Sequence, residues 1–378
     1  MSFLQKVRVT DIRNLVSVTL SPSPSINILY GSNGSGKTSF LEAVHLLGTT
    51  RSFRSSKVKP VIRQSQEACT VFGLVKGRES VFSLGVSRSL DASCKIHING
   101  EPCRLSSDLA SILPLQVINP DTFRLLEGTP KDRRQFLDWG VFHVEHRFLP
   151  AWKRAYKSMK QRNALLRHGK MSDSLMDVWD AELSQSGEEI DNYRRRYFEA
   201  LKPVFENTLE CLSGITDIQI SYSRGWDKES SLRDVLKRSY RRDVEAGYTQ
   251  WGPHRADIKL RYQGLAAVDT LSRGQQKAVV CALKLAQGKL FSDSKPFGCV
   301  YLVDDLPSEL DQEHRSRLCK MFEDMNAQVF ITCVDKGSLG QVWSAESEVK
   351  MFHVEHGVLI EDSRAEQTSA ETTLMDAG

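Results

Sequence analysis

Two groups of residues in this 378-residue chain have the types and spacing for phosphate chemistry. The first is the run Gly31, Ser32, Asn33, Gly34, Ser35, Gly36, Lys37, Thr38 and Ser39, which fits the pattern G-x-x-x-x-G-K-[ST]. Glycines let such a loop turn its backbone N–H groups onto phosphate oxygens, and the helix that follows adds partial positive charge at its N-terminus. The lysine meets the β- and γ-phosphates and the threonine hydroxyl reaches Mg²⁺. The second group is Asp304 and Asp305, side by side at the end of the apolar run "GCVYLV", with Glu309 and Asp311 close behind. Adjacent carboxylates repel one another, and a cation is the usual remedy. Asp304 is therefore expected to share the metal with Thr38, and Asp305 to act as a base or to orient water in hydrolysis beside the cation of Lys37. The plain alternatives are a glycine turn that fits by chance and a helix-capping cluster of acids. Both weaken because each motif has the flanking elements it needs.

Those elements can be read in turn. "SINILYG" is a strand ending at the loop, and "KTSFLEAVHLLG" has Phe40, Leu41, Val44 and Leu47 at helical spacing, with Gly48 as the expected C-cap. "LQKVRVTDIRNLVSVTLS" reads as two short strands, and "TVFGLVKG", "SVFSLGVSRS" and "CKIHING" as three more, with Asn-Gly marking a hairpin. Thr129, Pro130 and Asp132 start a helix, after which the chain is helix-forming to about Leu212. Strands return in "TDIQISYSRGW", "ADIKLRYQG", "GCVYLVDD", "AQVFITCVD" and "VKMFHVEHGVLI", and "QEHRSRLCKMFEDM" is a helix. The fold class expected is α/β: a P-loop ATPase lobe formed by both ends of the chain, 1–122 and 245–362, with a mainly helical second lobe, 123–244, inserted between them. Residues 363–378 are expected to be a disordered tail.

A third motif, "TLSRGQQKAVVCALKLA", opens a long helix with Ser272 as a natural N-cap and Gly274 allowing close backbone approach. A chain with its own P-loop has no need of a second anion-binding helix end, unless that end completes the site of a second copy; otherwise it is an ordinary capped core helix. Together the motifs resemble the ABC-type ATPases. "LSRGQQK" is similar to their signature, which would bring Ser272, Gly274 and Gln275 to the nucleotide, and "SELD" at Ser308–Asp311 is similar to their D-loop. At the switch position, usually histidine in transporters, the best match is Thr332, a third catalytic candidate with Lys37 and Asp305.

The likeness narrows further. "LQKVRVTDIRNL", "YGSNGSGKTSFLEAVHLLGTTRSFR", "INPDTFRLLEGTPKDRRQFLDW", "GPHRADIKL", "SRGQQKAVVCALKLA" and "DDLPSELD" resemble the RecF family of SMC-like DNA-repair proteins over nearly the whole chain. An aspartate at 305 is typical there, whereas Ala256 replaces an acid and Arg273 stands where glutamine is common. The resemblance implies ATP and Mg²⁺ as cofactors, an ATP-dependent homodimer, single-stranded or gapped double-stranded DNA as ligand, and RecR and RecO as partners in loading RecA. It implies a weak ATPase stimulated by DNA. The competing readings are the ATPase subunit of a transporter, which needs a membrane partner, that of a nuclease complex, and a scaffold that does not hydrolyse ATP.

Composition limits the classes without choosing among them. The chain is 40% hydrophobic and 26% charged, with a net charge of +4. It has no apolar run of about 18 residues and no apolar stretch at its charged N-terminus, so a cytoplasmic protein is expected. Eight cysteines lack C-x-x-C spacing and read as reduced core residues. "FHVEH" occurs at Phe142–His146 and again at Phe352–His356, with spacing incomplete for a zinc site. Basic residues beside aromatics in "KDRRQ", "WKRAYKSMKQRNALLRHGK", "NYRRRYFEA" and "LKRSYRRD" suit a DNA backbone or a solvated helix face. Arg133, Arg134, Arg194, Arg195 and Arg196 are the candidate phosphate contacts.

Overall fold

The computed structural model describes residues 3–77, 79–168, 173–294, 298–325, 327–339 and 342–362. The expected disordered tail, 363–378, lies outside them. Along the chain come β1 (Phe3–Ile12), β2 (Leu15–Leu20), β3 (Ile26–Tyr30), α1 (Lys37–Thr49), β4 (Ala68–Lys76), β5 (Val81–Ser89), β6 (Cys94–Ile98), β7 (Glu101–Cys103) and α2 (Ser106–Ile112). A largely helical stretch follows: β8 (Leu115–Ile118), α3 (Arg124–Glu127), α4 (Pro130–Val144), α5 (Phe148–His168), α6 (Asp173–Ser213), β9 (Ile218–Ser223) and α7 (Leu232–Ala246). The last part holds β10 (Asp257–Tyr262), β11 (Leu265–Ala266), α8 (Ala267–Thr270), α9 (Arg273–Ser294), β12 (Val300–Val303), α10 (Leu306–Glu309), α11 (Gln312–Asp324), β13 (Gln328–Cys333), β14 (Val349–Glu355) and β15 (Val358–Glu361).

Packing divides these into two compact units. One comprises Phe3–Ile112, Leu302–Asp305 and the chain from Ala327; the other comprises Leu113–Tyr301 and Leu306–Asn326. The division differs from the lobe boundaries read in the sequence, because α9 packs against α6 and falls with the helices.

The first unit has two sheets. One is antiparallel, in the order β2-β1-β4-β5-β6-β7. The other runs β15-β14-β3-β13-β12 within this unit, with β3 parallel to both β13 and β14. β3 and β13 are buried at nearly every residue, as parallel strands covered on both faces are. Gln328 joins the two sheets: its amide accepts from Leu4 N–H at 2.7 Å and donates to the carbonyls of Leu4 and Ser23 at 2.9 and 2.8 Å. Asn99 and Gly100 both have positive φ, 53° and 85°, which makes the expected Asn-Gly hairpin turn between β6 and β7. The segment read as one strand, "VKMFHVEHGVLI", folds back at His356 and Gly357 into the β14–β15 hairpin. Gly48 is not the cap of α1; the helix runs one residue further and Thr50 takes the left-handed cap, φ 61°. Cys94 and Cys211 are exposed, on β6 and on α6, so the cysteines are not uniformly core residues.

Glu42 is fully buried on α1. Arg13, in the β1–β2 turn, grips it with two bonds of 2.8 Å; Ser52 donates to the same carboxylate and Arg54 stands 3.6 Å away. This fixes the turn against the helix that begins at the P-loop.

The second unit is built on α4, α5, α6 and α9, with a small antiparallel sheet, β11-β10-β9. α6 has 41 residues, and it buries Leu201, Phe205, Leu209 and Leu212 at helical spacing. Arg162 on α5 has no solvent exposure; it bonds Asp180 of α6 at 2.6 Å and Asp243 of α7 at 2.7 Å, tying three helices together.

Arg13→Met should leave Glu42 buried without its main partner. The loss expected is roughly 3 kcal/mol, the low end for a broken buried pair, since Ser52 and Arg54 remain. Urea unfolding checks it, and the double change Arg13→Met with Glu42→Leu should recover most of the loss. A loss no larger than an exposed pair gives, about 1 kcal/mol or less, would show that the pair does not hold the turn.

Candidate functional site

The loop from Gly31 to Lys37 leaves β3 and enters α1 in a path that demands glycine. Gly31 and Gly36 have φ of 145° and 125°. A Cβ on Gly31 would lie 2.2 Å from the Val354 carbonyl oxygen, and one on Gly36 would lie 2.9 Å from the Leu15 side chain. Two neighbours, Asn14 and Gly357, hold the loop from outside. Asn14 donates to Gly34 O at 3.1 Å and accepts from the Ser39 hydroxyl at 2.9 Å, and Gly357 N–H donates to Ser35 O at 2.8 Å. Lys37 donates to the loop's own carbonyls, Gly31 at 2.6 Å and Ser32 at 2.9 Å. Burial lowers the pKa of its ammonium, against the opposing pull of Asp305, Cys333 and Asp304. The hydroxyl of Ser35 is buried and has no hydrogen-bond partner among the described residues. Ser32, Asn33 and Gly34 face solvent.

One carboxylate oxygen gathers the rest. Asp304 Oδ1 accepts from the Thr38 hydroxyl at 2.8 Å and from the Thr332 hydroxyl at 2.8 Å. Thr332, buried at the end of β13, also accepts from the backbone N–H of Asp305 at 2.7 Å. Thr332 thus fixes both aspartates, one through its proton and one through its lone pair. Asp305 sits at φ 54°, a left-handed conformation unusual for a non-glycine residue. The hydroxyl and carboxylate brought together by Thr38 and Asp304 are hard oxygen donors. Mg²⁺ takes such a pair when substrate phosphates and water complete its shell. Cradle, lysine and oxygen pair therefore fit a nucleotide triphosphate with its metal.

The signature segment belongs to the helical unit. Ser272 and Gln275 cap the start of α9 reciprocally: Ser272 N–H donates to Gln275 Oε1 at 2.9 Å and Gln275 N–H to Ser272 Oγ at 3.3 Å. Gln276 holds the preceding turn through the carbonyls of Val268 and Leu271, both at 2.9 Å. Ser272, Arg273 and Gly274 are exposed, and a Cβ on Gly274 would meet nothing within 4 Å. The chain's own packing does not require glycine there. Lys277 on α9 pairs with Glu309 of the "SELD" segment at 2.9 Å, joining the two motifs within this unit.

The five arginines read as DNA contacts do not share one fate. Arg194 is 3% exposed, bonds Asp138 through two nitrogens at 2.7 and 2.9 Å, and donates to Pro253 O at 2.7 Å. Arg133 is held on Asp257 at 2.8 and 3.1 Å. Arg134 donates to Ala256 O at 2.8 Å and is half-buried. Arg195 is exposed although paired with Asp191 at 2.8 Å, and Arg196 is exposed without an ion pair among the described residues. The two "FHVEH" copies lie in different settings. Phe142–Val144 end α4, where His143 packs against Trp139 and Phe291, whereas Phe352–Glu355 form β14.

Asn14, Arg13 and Glu42 belong to the site's frame and were not singled out from the sequence. Their signal was faint: "DIRN" ends a strand in a turn, and nothing local tells that the turn holds the P-loop.

A P-loop, a strand-end aspartate pair and a signature helix on an α/β fold define an ATPase of the ABC/SMC class. The RecF/RecN/SMC N terminal domain family matches residues 3–360. "DNA replication and repair protein RecF" of Pseudomonas paraeruginosa (strain DSM 24068 / PA7) is 58% identical over 94% of this chain and 96% of its own. The protein of that name from Stutzerimonas stutzeri (strain A1501) is 56% identical over 94% and 96%. Among solved structures, the recombination mediator protein RecF with ATP in the RecFOR pathway superposes with a TM-score of 0.84 at 26% identity, covering 96% of this chain and 98% of that one. An Smc head domain from Pyrococcus furiosus shares the fold, with a TM-score of 0.59 at 15% identity over 96% of each chain. The chain belongs to the RecF family.

Thr332→Val keeps shape but removes the hydroxyl that serves both aspartates. Asp305 N–H and Asp304 then lose a partner, and the fold should lose roughly 1–3 kcal/mol. Equilibrium urea unfolding measures this, and an unchanged midpoint would mean that Thr332 is not what fixes the pair.

Proposed function

We propose that this protein is an ATP-driven clamp on DNA. It binds ATP, pairs with a second copy of itself, grips DNA and lets go on hydrolysis. The observation that carries this reading is the shared Asp304 oxygen, which sets the Thr38 hydroxyl and the paired aspartates beside the P-loop. In this reading Gly31–Ser39 cradles the phosphates, Lys37 offsets their charge, and Asp305 orients the attacking water. Thr38 and Asp304 are the residues that would hold Mg²⁺, which would neutralise charge on the β- and γ-phosphates. Thr332 keeps the two aspartates in place. Ser272, Gly274 and Gln275 would meet the phosphates bound by a partner copy; the open space around Gly274 supports close approach there. Turnover is slow and stimulated by DNA, with ATP acting mainly as a switch for pairing.

The relatives named for DNA replication and repair, and the solved RecF of the RecFOR pathway, support a role in recombinational repair and replication restart in the cytoplasm. The DNA would be a gap or a single-strand/double-strand junction, and RecO and RecR the partners with which RecA is loaded. No described helix is long and apolar enough to cross a membrane. A transporter or nuclease subunit is not the reading this family favours. The functional lobes we propose are 1–122 with 245–362 for ATP and 123–244 for the helical insertion.

Two variants test the clamp together. Ser272→Arg should bind ATP almost as the wild type does but fail to pair, because a long side chain fills the space at the start of α9. Asp305→Asn should pair and then persist, because water is poorly oriented while Asp304 and Thr38 remain. Light scattering with ATP reads pairing, and phosphate release reads hydrolysis. If Ser272→Arg pairs normally, the signature acts only as a capped core helix. The exposed Arg195 and Arg196, both changed to Glu, should lower the salt slope of DNA binding by about 1 per lost phosphate contact, with ATP affinity unchanged. An unchanged slope would remove these two from the DNA surface.

A further inference from the structure

The helical unit holds a cavity that the ATP chemistry does not use. It is about 260 Å³ and lies among α4, α5, α6 and the turn at Pro253–His254. Trp152 and Tyr156, one helical turn apart on α5, stand at it as a stacked pair, with ring centres 5.3 Å apart and planes only 3° from parallel. Both are exposed, 38% and 53%, and together they make an aromatic patch on the surface of α5. Two more aromatics, Tyr248 and Trp251, are exposed in the segment leading to His254.

The charges around the cavity are unbalanced. Its carboxylate, Asp138, is already taken by both bonds from Arg194. Arg134 lines the cavity with one N–H on Ala256 O and no carboxylate within 4 Å among the described residues. Burial and then the nearby Arg194 push its pKa down, against Asp257 and Asp138. Lys131, also at the cavity, is exposed and unpaired among the described residues. On α5, Lys153, Lys157 and Lys160 form an exposed stripe beside the aromatic pair, again without ion pairs among the described residues. His254 adds a bare acceptor. Its Nε2 faces the Thr249 carbonyl at 3.0 Å and so carries the proton, while Nδ1 has no partner among the described residues. Burial pushes its pKa down to about 4, so the ring is neutral at pH 7.

Flat exposed π faces beside unpaired cations are what unpaired nucleotides bind: the base stacks and the phosphate meets the cation. A base inside a duplex shows only its edge and cannot use such a face. We propose that this cavity and the Trp152–Tyr156 pair form a binding site for a nucleotide of single-stranded DNA, its base stacked on the aromatic pair and its phosphates on Arg134, Lys131 and the α5 lysines. The site rests on the DNA-clamp reading and gives it a place where single strand is told from duplex.

Full-length protein carrying Trp152→Ala with Tyr156→Ala is compared with wild type by fluorescence anisotropy, on a labelled oligothymidylate and on a labelled hairpin duplex. The variant should bind oligothymidylate about 10-fold more weakly or worse, the scale of a lost base stack, and bind duplex as wild type does. ATP hydrolysis without DNA should not change. Trp152→Phe with Tyr156→Phe should keep near-normal affinity, and Trp152→Phe alone should remove the tryptophan quenching that oligothymidylate causes. Equal affinity of the alanine variant and wild type for oligothymidylate overturns the site while leaving the clamp intact. Wild type that binds neither DNA overturns the clamp reading itself. If the alanine variant keeps both DNA affinities and instead loses a partner protein, the face is a protein-docking surface and the proposal fails.

Discussion

A single carboxylate oxygen organises the candidate nucleotide site. Asp304 Oδ1 takes two hydroxyl protons, one from the first turn of α1 and one from the end of β13. Three chain segments far apart in sequence meet at one atom. Asp304 is half-buried at the end of an apolar strand, and these donors offset the cost of its partly desolvated charge. Thr332 does more than donate: by accepting the Asp305 N–H it holds the backbone in the left-handed turn that separates the two acids. The paired negative charge that looks unfavourable on paper is therefore tolerated through hydroxyls, and through a lysine kept near by its own loop carbonyls.

The same economy governs the basic residues of the helical unit. Arginine is well suited to buried pairs because its planar fork matches a carboxylate. Arg162, Arg194 and Arg133 are used in this way, as ties between helices and to the small sheet. The lysines of α5, with compact and strongly hydrated heads, are left outside. A count of basic residues mixes the two groups, and only the placement of each head separates fasteners from surface charge.

This explains what was legible in the sequence. The P-loop, the aspartate pair and the Asn-Gly hairpin are written in consecutive residues, so they could be read directly. The cap of α1 was misplaced by two residues because Thr50 can enter the left-handed region when its N–H reaches Leu46 O. "FHVEH" shows the limit most clearly: the same five residues close a helix at Phe142 and lie in a strand at Phe352, so their neighbours in space decide the form. Arg194 beside Arg195 makes the same point for side chains. The two are adjacent in the chain, yet one is 3% exposed and the other is on the surface, because α6 turns one inward. Asn14 could not be found because its role depends on a loop twenty residues away.

The β14–β15 hairpin has a further meaning in the life of the chain. Val354 and Gly357 touch the P-loop directly, and Gln328 joins Leu4 across 324 residues. Among the described residues β3 is flanked by β13 and β14, about 300 residues further along the chain. The loop therefore rests on strands far from it in sequence. Loops this long close slowly compared with local helices. The P-loop motif by itself lacks the frame that Val354 and Gly357 supply. The frame of the P-loop is thus closed by contacts across most of the chain, whereas the contacts of the helical unit are nearer in sequence.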